Sequence, residues 1–94
     1  MKIMMVGGIN DKKAEKLIGA IKKNIGSDTE VVNVNIFTQK PLEEEAKENP
    51  DVIVMLNKQS FSFKAPVIDG LGLIYPQMGE KKVYEEIKKH LWLK

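Results

Sequence analysis

Residues 2–25 read KIMMVGGINDKKAEKLIGAIKKNI, and this stretch decides the fold. Lys2–Val6 is a short, continuous apolar run that ends in Gly7-Gly8. A run without polar alternation suits a strand buried on both faces, as in a parallel sheet. From Asp11 to Ile25 the apolar residues Ala14, Leu17, Ile18, Ile21 and Ile25 form one helical stripe. Asn10 or Asp11 can cap the start of this helix and Gly26 can end it. A buried strand, a glycine turn and an amphipathic helix make the opening of a β-α-β unit.

The remainder of the chain extends the same alternation. Glu30–Phe37 (EVVNVNIF) places Val32, Val34 and Ile36 on one side and Asn33 and Asn35 on the other, which reads as a half-exposed strand at a sheet edge. Pro41 suits a first helical turn and Pro50 forbids continuation, so a short helix lies between them. Asp51–Leu56 (DVIVML) is a second buried strand, and Ala65–Asp69 (APVID) is a shorter one whose Pro66 implies an edge or strand-opening position. Gly70-Leu71-Gly72 reads as a turn. A last helix spans about Glu80–Leu93, with its stripe at Val83, Tyr84, Ile87 and Leu91. Strands alternating with helices imply a single small α/β domain with right-handed crossovers. The two continuous apolar strands belong in the middle, which predicts a four-stranded parallel sheet of order 2-1-3-4 with three helices.

Composition narrows the chemistry. The 94 residues contain 15 Lys, no Arg, one His and no Cys, with a formal net charge of +2. Without Cys there are no disulfides, thiolate zinc sites, iron–sulfur clusters or cysteine nucleophiles. One His excludes the usual multi-histidine metal sites, and the absence of Arg excludes bidentate guanidinium grips on phosphate. So small a net charge does not point to nucleic acid. No apolar run approaches the roughly 18 residues of a membrane span, and the N-terminal run is too short for a signal peptide. The expectation is a cytoplasmic protein with no cofactor, no resident metal and no membrane insertion.

On an open parallel sheet, ligands bind outside the carboxyl ends of the strands, where the strand order reverses. That rim comprises the loop Gly7, Gly8, Asn10, Asp11, Lys12 and Lys13, together with Asn57, Gln59, Ser60 and Asp69. The Gly7–Lys13 loop has two readings. Its amides and lysines can cradle a small anion at a helix N-terminus. Equally, any tight strand-to-helix turn favours Gly and Asn. Asp11 and Asp69 can hold Mg²⁺ through water, or serve as a helix cap and a turn residue. Phe61 and Phe63 lie two apart in a polar loop and either cover the core or form a partner patch; a protein-interaction domain would use them or a sheet edge, and a homodimer is one form of that. Named motifs are missing: there is no G-x-G-x-x-G and no G-x-x-x-x-G-K-[ST]. A receiver domain needs an Asp ending its third strand, where this chain has Leu56-Asn57.

The order of segments resembles the IIB component of bacterial sugar phosphotransferase systems, in particular the galactitol-like branch. The similar part is DVIVM, a polar loop, then APVIDGLGLIYPQMGEKKVYEEIKKHL, and KIMMVGG matches the first strand in character. The resemblance implies a flavodoxin-like, IIB-like three-layer sandwich. It also implies a phosphorylatable Cys in a C-x-x-G-x-x-x-S loop after the first strand, fed by a IIA partner and drained by a membrane IIC component. Here Gly7 stands at the Cys, Asn10 at the Gly and Ala14 at the Ser. The implied location of the site carries over and its chemistry does not. The expectation is therefore a IIB-like binding or regulatory relative without phosphocysteine. The alternatives are phosphoryl carriage by another residue, with Asp11 as the candidate, and a small-anion or nucleotide module at Gly7–Lys13.

Overall fold

A computed structural model describes residues 2–56, 62–75, 77 and 79–92. Four parallel strands form one sheet: β1 (Lys2–Gly7), β2 (Glu30–Asn35), β3 (Val52–Met55) and β4 (Val67–Asp69), in the order β2-β1-β3-β4. The order and the parallel sense are those the sequence implies. At the centre, Val6 lies opposite Val34 of β2 and Met55 of β3. Strands β2, β3 and β4 are each shorter than their apolar patterns, although single main-chain bonds continue past their ends at Ile36, Asp51, Leu56 and Pro66.

Helix α1 (Asp11–Ile25) follows β1, α2 (Pro41–Glu48) follows β2, and α3 (Leu71–Ile74) and α4 (Glu80–Trp92) follow β4. The short α3 makes four helices among the described residues where the sequence reading has three. Asp69 accepts a hydrogen bond from the Leu71 amide at 3.0 Å and starts a helical turn where Gly70-Leu71-Gly72 reads as a plain turn. Gly72 is needed there because a Cβ would lie 2.7 Å from the Gly79 carbonyl oxygen.

Two cores result from the double-sided burial of the central strands. Ile3, Met5, Val52, Val54 and Ile68 pack beneath Ala14 and Ile21 of α1 and Val83, Tyr84 and Ile87 of α4. Met4, Val6, Val34, Ile53 and Met55 fill the other face, with Phe63 and Ala65 packed against them. Phe63 therefore covers core, and Phe61 lies outside the described residues. The direction of winding reverses after β2, so a right-handed crossover puts α2 on the face opposite α1.

Helix α2 is short and buries few apolar groups, and it is anchored by polar contacts. Glu45 is only 7% exposed. Its carboxylate accepts from the Lys64 amide at 2.9 Å and from the Ala65 amide at 2.9 Å. This ties α2 to the segment that leads into β4. Asn49 ends the helix in the left-handed region at φ 49°, a conformation Asn tolerates, and its amide donates to the Glu45 carbonyl at 2.8 Å. Lys2 closes the amino ends of the strands, with its ammonium 3.8 Å from Glu30 and 3.6 Å from Glu48.

Two measurements check these anchors. Hydrogen bonds to a buried charge contribute about 1.5–3 kcal/mol, so Glu45→Ala lowers the urea-unfolding free energy by about that amount. Tyr84 is buried against the sheet, and its hydroxyl donates to Glu80 Oε1 at 3.3 Å. Burial first, then the Glu80 charge and this hydrogen bond, push its phenol up from 10.0 to about 12. A raised phenol favours the neutral form in the folded state. Its stabilisation is complete below the unfolded value of 10 and is lost as pH rises towards 12. The alkaline fall in stability is shallower in Tyr84→Phe, read from chemical denaturation between those limits.

Candidate functional site

The carboxyl rim is shaped by one side chain. Leu56, just past β3, is 5% exposed and sits between the ends of β1 and β4. Its amide donates to the Val6 carbonyl at 2.8 Å, and the Gly70 amide donates to the Met55 carbonyl at 2.7 Å. A Cβ on Gly7 would lie 2.7 Å from Leu56 Cβ. A Cβ on Gly70 would collide with Val54 Cγ1 and lie 3.1 Å from Leu56 Cδ2. Gly7 thus admits Leu56, while Gly70 makes room chiefly for Val54 and the Met55 carbonyl, with Leu56 beside them at the point where strand order reverses. Neither has a positive φ, so the turn geometry itself does not demand them.

Gly8 differs. A Cβ there would meet only the outer ring of Phe37, which is 78% exposed and free to swing aside. The Phe37 ring lies on the Gly8 backbone at the top of the β1–α1 loop. It gets there through Asn35, the last residue of β2. The Asn35 carboxamide oxygen accepts from the Phe37 amide at 2.9 Å, while its Nδ2 donates to the Ile9 carbonyl at 3.4 Å. The Asn35 amide in turn donates to Gln39 Oε1 at 3.0 Å. Asn35 therefore joins the end of β2 to the β1–α1 loop. Sequence reasoning treats it only as a polar edge residue. The readable signal was an Asn followed directly by a turn, since Asn side chains bond the amide two residues on.

At the helix start, Asn10 is the cap: its Oδ1 accepts from the Lys13 amide at 2.9 Å. This leaves the Asp11 and Lys12 amides at the open end of the helix. The Asp11 carboxylate, in the first turn, answers the helix dipole from within the chain. Lys12 and Lys13 are exposed. Asp11 faces a groove of about 460 Å³ that it shares with Glu15, Ile18, Asn33, Asn35 and Gln39.

Asp69 lies elsewhere. Its carboxylate is used by the Leu71 amide, and it borders a separate groove of about 390 Å³ with Leu71, Lys82 and Glu86. The two aspartates considered for Mg²⁺ thus act as a first-turn acid and a turn acceptor and line different grooves. No group of three or more His, Cys, Asp or Glu suited to a metal ion occurs among the described residues. Asn57, Gln59 and Ser60 lie outside the described residues. A third groove, of about 520 Å³, is bordered by Glu45, Pro50, Asp51 and Pro66 near the opposite end of the sheet.

On the Phe37 side, the described rim therefore offers the Asp11 and Lys12 amides, the Asp11 carboxylate and the exposed Lys12 and Lys13. His90 sits on α4, ten residues past its start, so the helix carries it roughly 15 Å away from the rim. Among the described residues no helix is long and apolar enough to cross a membrane. Protein-family models, curated proteins and solved structures were each compared with the chain, and none matches.

The glycine pair separates by mutation. Overpacking a filled site costs about 1–3 kcal/mol, so Gly7→Ala destabilises the fold by that amount in thermal or urea unfolding. Gly8→Ala stays within about 0.5 kcal/mol of the parent, as surface changes do.

Proposed function

We propose that the chain is a non-catalytic binding or regulatory relative of the IIB domains, working on the cytoplasmic side and recognising a IIA- or IIC-like partner with its carboxyl rim. The observation that carries this reading is the filled space at Gly7. In the resembling family the position after the first strand bears the nucleophile. Here the corresponding residue has no side chain, and Leu56 takes the volume one would need. The rim keeps a surface without a reactive centre: Phe37 exposed on Gly8, flanked by Asn10, Asp11 and Lys12.

Phosphoryl carriage by Asp11 is supported less. A carboxylate nucleophile needs cations or a metal to offset the incoming charge, and the Asp11 groove contains a second carboxylate, Glu15, and neutral amides. The small-anion reading rests on the open Asp11 and Lys12 amides, where the Asp11 carboxylate already supplies the negative charge.

One experiment with two arms tests the proposal. The isotope-labelled chain is mixed with a phosphorylated IIA donor and followed by mass spectrometry and amide NMR. No phosphoryl adduct is expected, while the Gly8, Asn10 and Phe37 amides shift on contact with the protein and stay in place with inorganic phosphate alone. Stoichiometric labelling would overturn the non-catalytic reading, and shifts produced equally by phosphate would favour the anion module.

A further inference from the structure

Strand β2 is six residues long and forms one edge of the sheet. The Ile36 amide donates to the Gly7 carbonyl at 3.1 Å. Main-chain groups alternate along a strand, so those of Val32 and Val34 face β1 while those of Val31, Asn33 and Asn35 face outward. Asn35 is closed off. Its amide donates to Gln39 Oε1, and its carbonyl accepts from the Thr38 and Gln39 amides at 3.1 and 2.8 Å. The open part of the edge is Val31–Asn33. Natural edges are blunted by Lys, Pro or bulges, and Glu30–Asn35 contains neither Lys nor Pro. Asn33 Oδ1 is buried and has no hydrogen-bond partner among the described residues, although such atoms are nearly always paired.

Helix α1 flanks this edge. Glu15 and Ile18 line the groove beside Asn33. The helical period puts Lys22 on the same face, one turn beyond Ile18. That face is acidic above, apolar at half-buried Ile18 and basic below, with Ile18 near the midpoint. Opposite charges set about one centre are complementary to themselves after a two-fold rotation.

We propose that two copies of this chain join edge to edge, with β2 pairing antiparallel about a two-fold axis at Asn33, so that one eight-stranded sheet forms. The Asn33 amide and carbonyl exchange hydrogen bonds with those of the partner subunit. The two Asn33 carboxamides turn towards each other on the same face, and each buried oxygen gains the donor it lacks. Above them, α1 lies antiparallel to its copy, and Glu15 faces Lys22 of the partner subunit. In this register Val31 of each copy lies opposite the closed Asn35 of the other, so main-chain pairing is confined to Asn33. This surface lies on the flank of the molecule and leaves Phe37 and Gly8 at the rim open.

Sedimentation of the wild-type chain at low salt over a concentration series is expected to show a doubling of mass, weakened by added salt. Glu15→Lys and Lys22→Glu each set like charges across the axis, and each sediments as monomer with unchanged circular dichroism. An equimolar mixture of these two variants recovers the dimer, because position 15 of one then meets the opposite charge at position 22 of the other in both directions. Asn33→Lys, which places a charge against its own copy on the axis, abolishes the dimer in that mixture as well. A wild-type chain that stays monomeric to millimolar concentration overturns the proposal. Single variants that associate like the wild type, or a mixture that stays monomeric, overturn it too.

Discussion

The contact of Leu56 with the two glycines at the ends of β1 and β4 sets the terms for everything at the functional end of this molecule. Neighbouring strands lie about 4.8 Å apart, and the Leu56 side chain can stand between them only where its neighbours have no Cβ. Gly7 and Gly70 meet that condition. Main-chain bonds from Leu56 to Val6 and from Gly70 to Met55 then hold three strands in register at the rim. Among the described residues, Leu56 occupies the end of β3 at the switch point, and the polar side chains lie on two flanks, one built around Asn10, Asp11 and Asn35 and the other around Asp69.

A ligand buried in a crevice needs a concave space whose polar groups converge. Among the described residues, Leu56 occupies the end of β3, and the grooves beside Asp11 and Asp69 are separate. Of the flanking groups, the Asn10 carboxamide accepts from the Lys13 amide and the Asp69 carboxylate from the Leu71 amide, while the Asp11 and Lys12 amides stay open at the helix start. The composition contains neither Cys nor Arg, so no thiolate and no guanidinium stands at this rim. A shared fold does not carry chemistry with it, because chemistry resides in the side chains that the fold presents.

Much of the architecture was legible because burial on both faces writes an unmistakable pattern. KIMMV and DVIVM contain no polar alternation, which forces them to the centre of a parallel sheet and leaves only the edges for the alternating EVVNVN and the proline-led APVID. The α1 stripe and the Asn10 cap follow from local rules and appear as read. The parts that were not legible depend on contacts between distant segments. Glu45 looks like one more surface acid until the Lys64 and Ala65 amides arrive from 19 and 20 residues away. Gly7 and Gly8 look alike in the sequence, yet one faces Leu56 and the other a mobile ring on the surface. The α3 turn exists because Gly72 lets the Gly79 carbonyl approach, which no local propensity records.

The Gln39 side chain folded over the Asn35 amide bears on how far this sheet can grow. An open edge is a template for further strands, and one long enough to accept them in register invites cross-β fibres. Capping by Gln39 shortens the free edge of β2, while β4 offers only three residues behind Pro66. Neither edge can seed an extended stack. A single glutamine side chain thus sets how much of the β2 edge another strand could reach.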